Sequence, residues 1–422
     1  MIGDRLLIRL LAVGSVSLIA ATWPLWTPQT VFPQVPLVSV AGHVPSGAEW
    51  GLLVTLLIAL AAQFFAKDRN IRRFACAVFS LATLSLIVID QHRLQPWAWQ
   101  FVLISFALAV ADATTARSCW SWLVIGIYAW SAWSKMDQGF VIGHGRFLLD
   151  GLFKSIGLMK GIETFTEPAR LVMTASIPIF EMLIAVGLCW HRTRLFALIG
   201  SGCMHVALIL ALGPFGHQHQ PGVLIWNLFF LVQNWVLFGS PGASQPDENF
   251  NSTTCSNRTG NYFARTIVVA ALFWPSLEQF GLCDHWPAWA VYAAKPERVT
   301  VFVHSDEESK LPNSLRQYLG VEPILDEWRS LRIDRWSLNT LYAPIYPQDR
   351  FQVGVALGIS RLYDMNQIRV VVEGPADRWT GKRKVNQYIG IESLNQLADS
   401  YRCNAQPRML QFSKDEKANP SE

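Results

Sequence analysis

The chain has 422 residues, of which 51% are hydrophobic and only 16% are charged. Soluble globular proteins carry roughly 25% charged residues, so this composition excludes a purely soluble enzyme and a disordered chain. The net charge is only +4 and the basic residues form short clusters, which excludes nucleic acid as a partner. Eighteen Trp residues are typical of a membrane protein, because Trp favours the boundary between lipid and water. The composition predicts a polytopic protein in a lipid bilayer.

Apolar segments predict an all-α membrane bundle of about nine helices, because each segment can cross the ~30 Å hydrocarbon core of a bilayer. The predicted spans are 7–27, 50–66, 74–89, 97–112, 118–134, 170–190, 195–212, 222–239 and 266–283. After about Tyr292 the chain is richer in charge and has no apolar run of that length. We therefore expect a transmembrane domain over 1–291 and a small extramembrane α/β domain, called the tail below, over 292–422.

The tail contains two strand-like and three helix-like stretches. Residues 299–304 and 367–373 are rich in β-branched side chains, which favours strands. Residues 313–319, 350–363 and 392–402 have the pattern of helices. The tail has no Gly-rich phosphate loop, Cys-x-x-Cys pair or nucleophile elbow, so its sequence does not indicate what it binds.

Lys and Arg in the loops predict the orientation in the membrane. Loops 67–73 and 191–194 are basic, whereas 28–49 and 213–221 contain neither Lys nor Arg. Nine spans satisfy all four loops when the N-terminus is cytoplasmic and the tail extracytoplasmic, in a bacterial inner membrane or a plasma membrane. The first apolar stretch continues past Thr22 without a convincing cleavage site, so we expect it to be retained.

The seven cysteines show no close-spaced pair. Cys283 and Cys403 both fall on the predicted outer side, where they could form a disulfide or remain free thiols. Cys255 falls in a predicted cytoplasmic loop.

Glu181 and His205 are ionisable residues in the middle of adjacent predicted spans. Charged groups inside spans are costly and usually face an interior cavity. Counted from the turn near Arg192, the two residues lie within roughly 3 Å of the same depth at 1.5 Å per residue. A Glu–His contact is therefore allowed, and its role could be functional or simply that of a hydrogen bond between helices.

Other polar residues fall near the outer boundary, which suggests a polar cavity open to that side. They are Lys135, which follows Trp130 and Trp133, then His217, His219, Asn227, Glu278, Asp284 and His285. Each also has a simpler interpretation. Lys135 can be a snorkelling anchor, and Asn227 can form a hydrogen bond to a neighbouring helix. The two loop histidines can be solvated residues rather than metal ligands.

The stretch from Tyr128 through Lys135 to Asp137, followed by Phe140 and Gly143, resembles a helix-end motif of the vitamin K-dependent γ-carboxylase family. In that family the motif has Tyr, the catalytic Lys seven residues later, then an apolar residue and Asp. The family belongs to the horizontally transferred transmembrane (HTTM) class. Met204-His205 ahead of Gly213 is similar to the His-containing helix of the same class. The resemblance covers roughly 1–295, with motif-level support in 128–213.

The DoxX and MauE-like membrane proteins carry a similar aromatic-Ser/Gly-x-x-Lys pattern and are associated with redox partners. The chain departs from the vertebrate carboxylases in having Ser134-Lys135 where they have two lysines. Its tail is also shorter and resembles no substrate-binding domain of that family.

The resemblance implies a membrane quinol as cofactor and, in carboxylases, an extracytoplasmic protein substrate. Lys135 would act as the base toward the quinol, since a low-dielectric pocket favours its neutral form. His205 would bond or orient the quinol, Glu181 would fix the His205 tautomer, and Trp130, Trp133 and Asn227 would bind the cofactor. The alternatives are a non-catalytic accessory protein for a redox or maturation system, and a transporter. A transporter is least favoured, because no inverted repeat or pair of broken helices occurs.

Overall fold

The computed structural model describes residues 4–158, 164–239, 258–322 and 326–408. Most of the described residues up to Phe273 form a helical bundle. Its helices are α1 Asp4–Ala21, α2 Trp23–Trp26, α3 Ser46–Phe65, α4 Arg69–Ile89, α5 Pro96–Val110, α6 Ala113–Ser134, α7 Gly145–Ser155, α8 Glu167–Cys189, α9 Arg194–Leu212, α10 Pro221–Phe238 and α11 Arg258–Phe273. Each predicted span therefore lies on a helix, although the ends differ.

Local sequence signals set where these helices begin. The Asp68 carboxylate accepts the backbone N–H groups of Asn70 and Ile71, which caps α4, and Asp112 caps α6 through Thr115. α5, α8 and α10 each begin with Pro at one of the first two positions, where its missing N–H has no helical partner to lose.

Five helices in the described part of the chain are long and apolar enough to cross a membrane: α3, α4, α8, α9 and α10. Their presence supports an integral membrane protein, but the predicted count of nine spans is not supported by length and hydropathy. α5 has 15 residues and α11 has 16, which is short for a span. The last predicted span, 266–283, breaks at Trp274, where Pro275 opens a 3-10 helix, Trp274–Phe280.

One end of the bundle, called the basic end below, is held together by arginines that donate to carbonyls at helix C-termini. Arg9 Nε donates to Phe64 O at 3.1 Å, at the end of α3. Arg73 Nε donates to Ala109 O at 3.0 Å, at the end of α5, and Arg117 Nη2 donates to Leu237 O at 2.9 Å, at the end of α10. These cations satisfy orphan carbonyls and complement the negative ends of the helix dipoles.

The tail contains an antiparallel sheet in the order β2-β1-β3-β4, with β1 Arg298–His304, β2 Trp328–Leu331, β3 Ile368–Glu373 and β4 Val385–Ile389. Central Val301 pairs with Leu331 on one side and Val370 on the other. Both predicted strands are confirmed. Because every pairing is antiparallel, the arrangement is α+β rather than the expected α/β.

The tail helices are α12 Asn313–Arg316, α13 Ile333–Leu341, α14 Asp349–Leu362 and α15 Ile391–Ser400. The predictions at 350–363 and 392–402 are confirmed to within two residues, and the one at 313–319 ends three residues early. Buried residues of α14 pack on the sheet and on the end of the bundle opposite the basic end, called the tail end below.

The tail and the bundle share one continuous core at the tail end. The rings of Phe32 and Trp336 lie 4.4 Å apart, and those of His92 and Phe351 lie 5.0 Å apart. A Cβ at Gly354 would lie 2.7 Å from Val35, so only glycine lets α14 approach this closely.

A buried ion cluster completes this junction. The Glu49 carboxylate accepts from Arg93 of the bundle, and from Arg408 of the tail at 2.7 Å. Gln34 Nε2 also donates to Glu49, at 2.8 Å. Arg93 further donates to Leu25 O at 2.9 Å. Neither the Arg93 nor the Glu49 side chain has any exposed surface.

Candidate functional site

The last two turns of α6 divide the predicted site residues between two faces. Tyr128, Ser131 and Lys135 are spaced by three and four residues and so share one face of the helix. Trp130 and Trp133 lie on other faces, about 200° and 140° around the helix from Tyr128 at 100° per residue. The first face points into the bundle, where Tyr128 is 2% exposed, whereas Trp133 is 48% exposed.

Lys135 forms a buried ion pair with Glu181 of α8. Its Nζ donates to Glu181 Oε2 at 2.8 Å and to Ser131 Oγ at 2.5 Å, and both charged side chains are 9% exposed. The sequence placed Glu181 in the middle of its span and Lys135 near the outer boundary, and it did not predict that the two residues pair. The structure therefore brings together two of the three predicted catalytic residues.

The third, His205 of α9, is held by a chain of hydrogen bonds that does not include Glu181. Its Nε2 lies 2.6 Å from Tyr128 Oη, and its Nδ1 lies 2.8 Å from Asn227 Oδ1 of α10. The Glu181–His205 contact that the sequence allowed does not occur in the described part of the chain, because both ring nitrogens of His205 have other partners and Glu181 accepts from Lys135.

The hydrogen bonds around Asn227 assign the tautomer of His205. Asn227 Nδ2 donates to Val223 O at 2.8 Å, so its Oδ1 is the atom that accepts from His205. Nδ1 therefore carries the hydrogen and Nε2 accepts from the Tyr128 hydroxyl. Asn227 therefore has the role that was expected of Glu181, that of fixing the His205 tautomer. This contact makes Asn227 a positioning residue, and its binding of a cofactor stays a prediction.

Polar residues of α9 and α10 extend this chain deeper into the bundle. Asn234 Nδ2 donates to Tyr128 Oη at 2.6 Å and to Ser201 Oγ at 3.3 Å. Its Oδ1 is buried with no partner among the described residues. The sequence prediction missed Asn234, Ser131 and Ser201, although a polar side chain inside an apolar helix is the same signal that singled out Glu181.

Trp130 and Trp133 face a different feature, a cavity of about 150 Å³ at the tail end, called the junction cavity below. Its lining is Trp130, Trp133, Ser134, Pro275, Ser276, Glu278, Gln279, Ala288, Ala290, Ala293, Lys295 and Arg378. Lys135 and Asn227 are not part of this lining. Trp130 and Trp133 leave α6 on other faces than Lys135, and their contact with a cofactor stays a prediction.

A charged cluster borders the junction cavity. His285 Nδ1 lies 2.9 Å from Glu278 Oε1, and its Nε2 lies 2.5 Å from Glu297 Oε2. Lys295 Nζ bonds the other oxygen of Glu278 at 3.0 Å. Burial disfavours a charged imidazole, but the two carboxylates outweigh that cost and raise the pKa of His285 to about 9. Sequence reasoning singled out Glu278 and His285 as polar residues near the outer boundary, but it did not predict their contact.

Two other expectations can be compared with the structure. His217 stacks on Phe147 with ring centroids 3.7 Å apart, while His219 Nε2 lies 3.4 Å from the Tyr292 hydroxyl, so the two histidines have separate partners. No group of three metal-ligating side chains occurs among the described residues. Cys283 and Cys403 are free thiols, so the disulfide is not present. Cys255 lies outside the described residues.

No protein-family model matches the sequence, and the comparisons with curated proteins and with solved structures found no match.

Proposed function

We propose that this chain is an integral membrane protein of the HTTM-like class that binds a membrane-dissolved quinol at the Lys135–Glu181 pair. The observation that carries the proposal is the burial of this pair: a cation from α6 and a carboxylate from α8 meet at 2.8 Å inside an apolar bundle. Intramembrane ion pairs are costly and usually serve binding or proton transfer. The motif resemblance around Lys135 supplies the quinol as the ligand class.

The chemistry of the pair fits a hydroxyl-bearing head group. Lys135 has three N–H donors, and two of them reach Ser131 and Glu181. Among the described residues Glu181 is hydrogen-bonded through Oε2, and its side chain retains 9% exposure. One ammonium N–H can therefore donate to a ligand oxygen while Glu181 accepts a ligand hydroxyl.

The ion pair changes the roles expected from the sequence. A Lys135 ammonium that donates hydrogen bonds to Ser131 and Glu181 has no lone pair with which to accept a proton. We propose that Glu181 takes up the hydroxyl proton and that Lys135 stabilises the oxygen anion that remains. A bound quinol would supply the reducing electrons of either an oxidoreductase or a carboxylase.

His205 completes the proposed site as a positioning residue. Asn227 holds the imidazole in the Nδ1–H form, and Nε2 accepts from Tyr128, which lies on the Lys135 face of α6. This chain of bonds fixes the rotation of α6 relative to α9 and so positions the Lys135 ammonium against Glu181.

An experiment on Lys135 tests this function. Purified protein would be extracted with organic solvent to identify bound quinone, and then compared with Lys135→Arg and Glu181→Gln variants. We expect both variants to fold and insert but to lose quinone retention, because Arg extends past the carboxylate and Gln cannot take a proton. Lys154→Arg, at the exposed end of α7, is the matched control. Full quinone retention in both site variants would contradict the proposal.

A second candidate is an accessory protein of the DoxX or MauE type without turnover. Lys135 does not line the junction cavity, which favours the accessory protein. A buried pair without access to a cavity can have the purely structural role of holding α6 against α8. In that case the lipid extract contains no stoichiometric quinone, and Lys135→Arg lowers stability without changing the support given to a redox partner.

We further propose that α1, α5, α6 and α11 cross the membrane with the five apolar helices, giving nine spans with the tail extracytoplasmic. The arginine contacts support this, since Arg9, Arg73 and Arg117 gather at the end opposite the tail. Cys403 is an exposed free thiol of the tail and serves as a natural probe. A membrane-impermeant maleimide should label it in intact cells, and a Cys403→Ser variant is the control. Labelling only after the cells are opened would reverse the orientation.

A further inference from the structure

We propose that the loop 376–384 of the tail, between β3 and β4, is a binding surface for anionic phospholipid headgroups of the adjacent membrane leaflet. This inference is independent of the quinol site, and it rests on the shape, position and charge of the loop.

The loop has a built conformation that presents a tryptophan. Asp377 Oδ1 accepts the backbone N–H groups of Trp379 at 3.1 Å and Thr380 at 2.8 Å, and also the Thr380 hydroxyl at 2.8 Å. Gly381 follows with φ +65°, a conformation that glycine adopts without strain. The side chain of Trp379 is left 77% exposed at the tip.

The position of the loop places this tryptophan beside the bundle. Gln138 N, just beyond the end of α6, donates to Arg378 O at 3.0 Å. The Arg378 guanidinium lies over the ring of Trp133, 4.3 Å from its centroid. Trp133 is itself 48% exposed, so two exposed indoles lie close to one helix end. Trp favours the level of the lipid headgroups, and we infer that both rings lie there.

The charge of the loop suits an anionic surface. Residues 376–384 contain four basic side chains and one acidic side chain, and the acidic Asp377 is used within the turn. Arg383 donates to the carbonyls of Pro296 and Gly374, both at 2.8 Å, and so holds the loop in place. Among the ion pairs of the described residues none includes Arg378, Lys382 or Lys384. These three cations can therefore face phosphates.

The junction cavity adds a recess next to this surface. Trp133 and Arg378 form part of its wall together with Lys295. Its acidic member, Glu278, is compensated by Lys295 at 3.0 Å and by His285 at 2.9 Å. The wall therefore does not repel a phosphate, and the indoles beside it match the glycerol and upper acyl region of a lipid.

Lipid retention in nanodiscs tests the proposal with the full-length protein. Native mass spectrometry would count the phosphatidylglycerol retained by the wild type and by a Lys382→Gln/Lys384→Gln variant. Each basic side chain near an anionic surface contributes about a fivefold gain in affinity, so the double variant should bind about 25-fold more weakly. Arg335→Gln/Arg402→Gln removes the same charge from exposed positions elsewhere in the tail and is the matched control. Equal losses in the two variants would show a general charge effect and overturn the site.

A second measurement uses the wild type alone and so does not depend on the folding of a variant. Amide hydrogen exchange over 376–384 should slow when phosphatidylglycerol replaces phosphatidylcholine in the nanodisc. Free glycerol phosphate should leave the exchange unchanged, because it cannot bury Trp379. Slowing by glycerol phosphate alone would assign the loop to a soluble anion, and identical exchange in both lipids would refute the proposal.

Discussion

Two buried ion pairs in this molecule, each a basic side chain against a glutamate, have different surroundings. Glu49 and Arg93, at the junction of tail and bundle, are both completely buried, and further donors and acceptors surround them. Lys135 and Glu181, between α6 and α8, are 9% exposed and have fewer partners. The first pair is saturated and suits a fixed interface. The second retains hydrogen-bonding capacity, which suits a ligand or a proton.

The largest expected effect comes from removing the carboxylate of the Glu49–Arg93 pair. Glu49→Leu removes the carboxylate shared by Arg93 and Arg408 and leaves two cations without compensation. Breaking a buried ion pair costs about 3–5 kcal/mol, and we expect that loss in the free energy of unfolding, measured in detergent with a chemical denaturant. Glu167→Gln, in an exposed pair with Arg146, should cost less than about 1 kcal/mol. Similar losses in the free energy of unfolding for Glu49→Leu and Glu167→Gln would show that burial does not make the Glu49 pair more stabilising than an exposed pair.

The His285 cluster is a third buried charge site, and it adds pH as a test. Because its pKa is raised to about 9 from 6.5, His285 contributes stability that is fully present below about pH 6.5 and is lost as pH rises through about 9. The shift corresponds to at most about 3 kcal/mol. Thermal unfolding across that pH window should show the loss in the wild type. A His285→Gln variant should have a flatter profile, and an unchanged profile would contradict the assignment.

An intermediate effect is expected from the Lys135–Glu181 pair. Glu181→Gln leaves the Lys135 ammonium beside a neutral amide, at a cost of about 1–3 kcal/mol for a poorly satisfied buried group. The loss should be smaller than for Glu49→Leu, since Lys135 retains Ser131 and some exposure. Denaturant unfolding of both variants under one set of conditions measures the difference. A loss as large as that of Glu49→Leu would mean that the pair is structural.

The smallest effect is expected within the neutral chain of hydrogen bonds. Tyr128→Phe removes the hydroxyl that joins His205 to Asn234. It should cost about 0.6–1.7 kcal/mol, from the average to the largest value for such bonds between membrane helices. Tyr262→Phe, at a position 68% exposed, should be close to neutral. If Tyr128→Phe lowered the free energy of unfolding more than Glu181→Gln, the neutral chain of hydrogen bonds, and not the ion pair, would be the main contact that holds α6 in place.

Much of the fold could be predicted from residues near one another in the sequence. The apolar runs placed a helix at every predicted span, and β-branched residues placed β1 and β3. Length and hydropathy do not support the predicted count of nine spans, because α5 and α11 are short and Pro275 ends the last apolar helix. The strand pairings join residues tens of positions apart, such as Val301 and Val370. The shared core of tail and bundle brings together residues hundreds of positions apart, such as Glu49 and Arg408. No local pattern encodes either kind of contact.

For the candidate site, the sequence by itself determined which polar groups lie inside apolar segments and at what depth. Length, hydropathy and the rise of a helix predict depth along the axis, which singled out Glu181 and His205 in the middle of their spans. The motif resemblance singled out Lys135 near the outer boundary. Only the tertiary structure decided which of them meet, because the rotation of each helix about its axis depends on packing against its neighbours. That rotation paired Lys135 with Glu181, gave His205 to Tyr128 and Asn227, and turned Trp130 and Trp133 toward the tail.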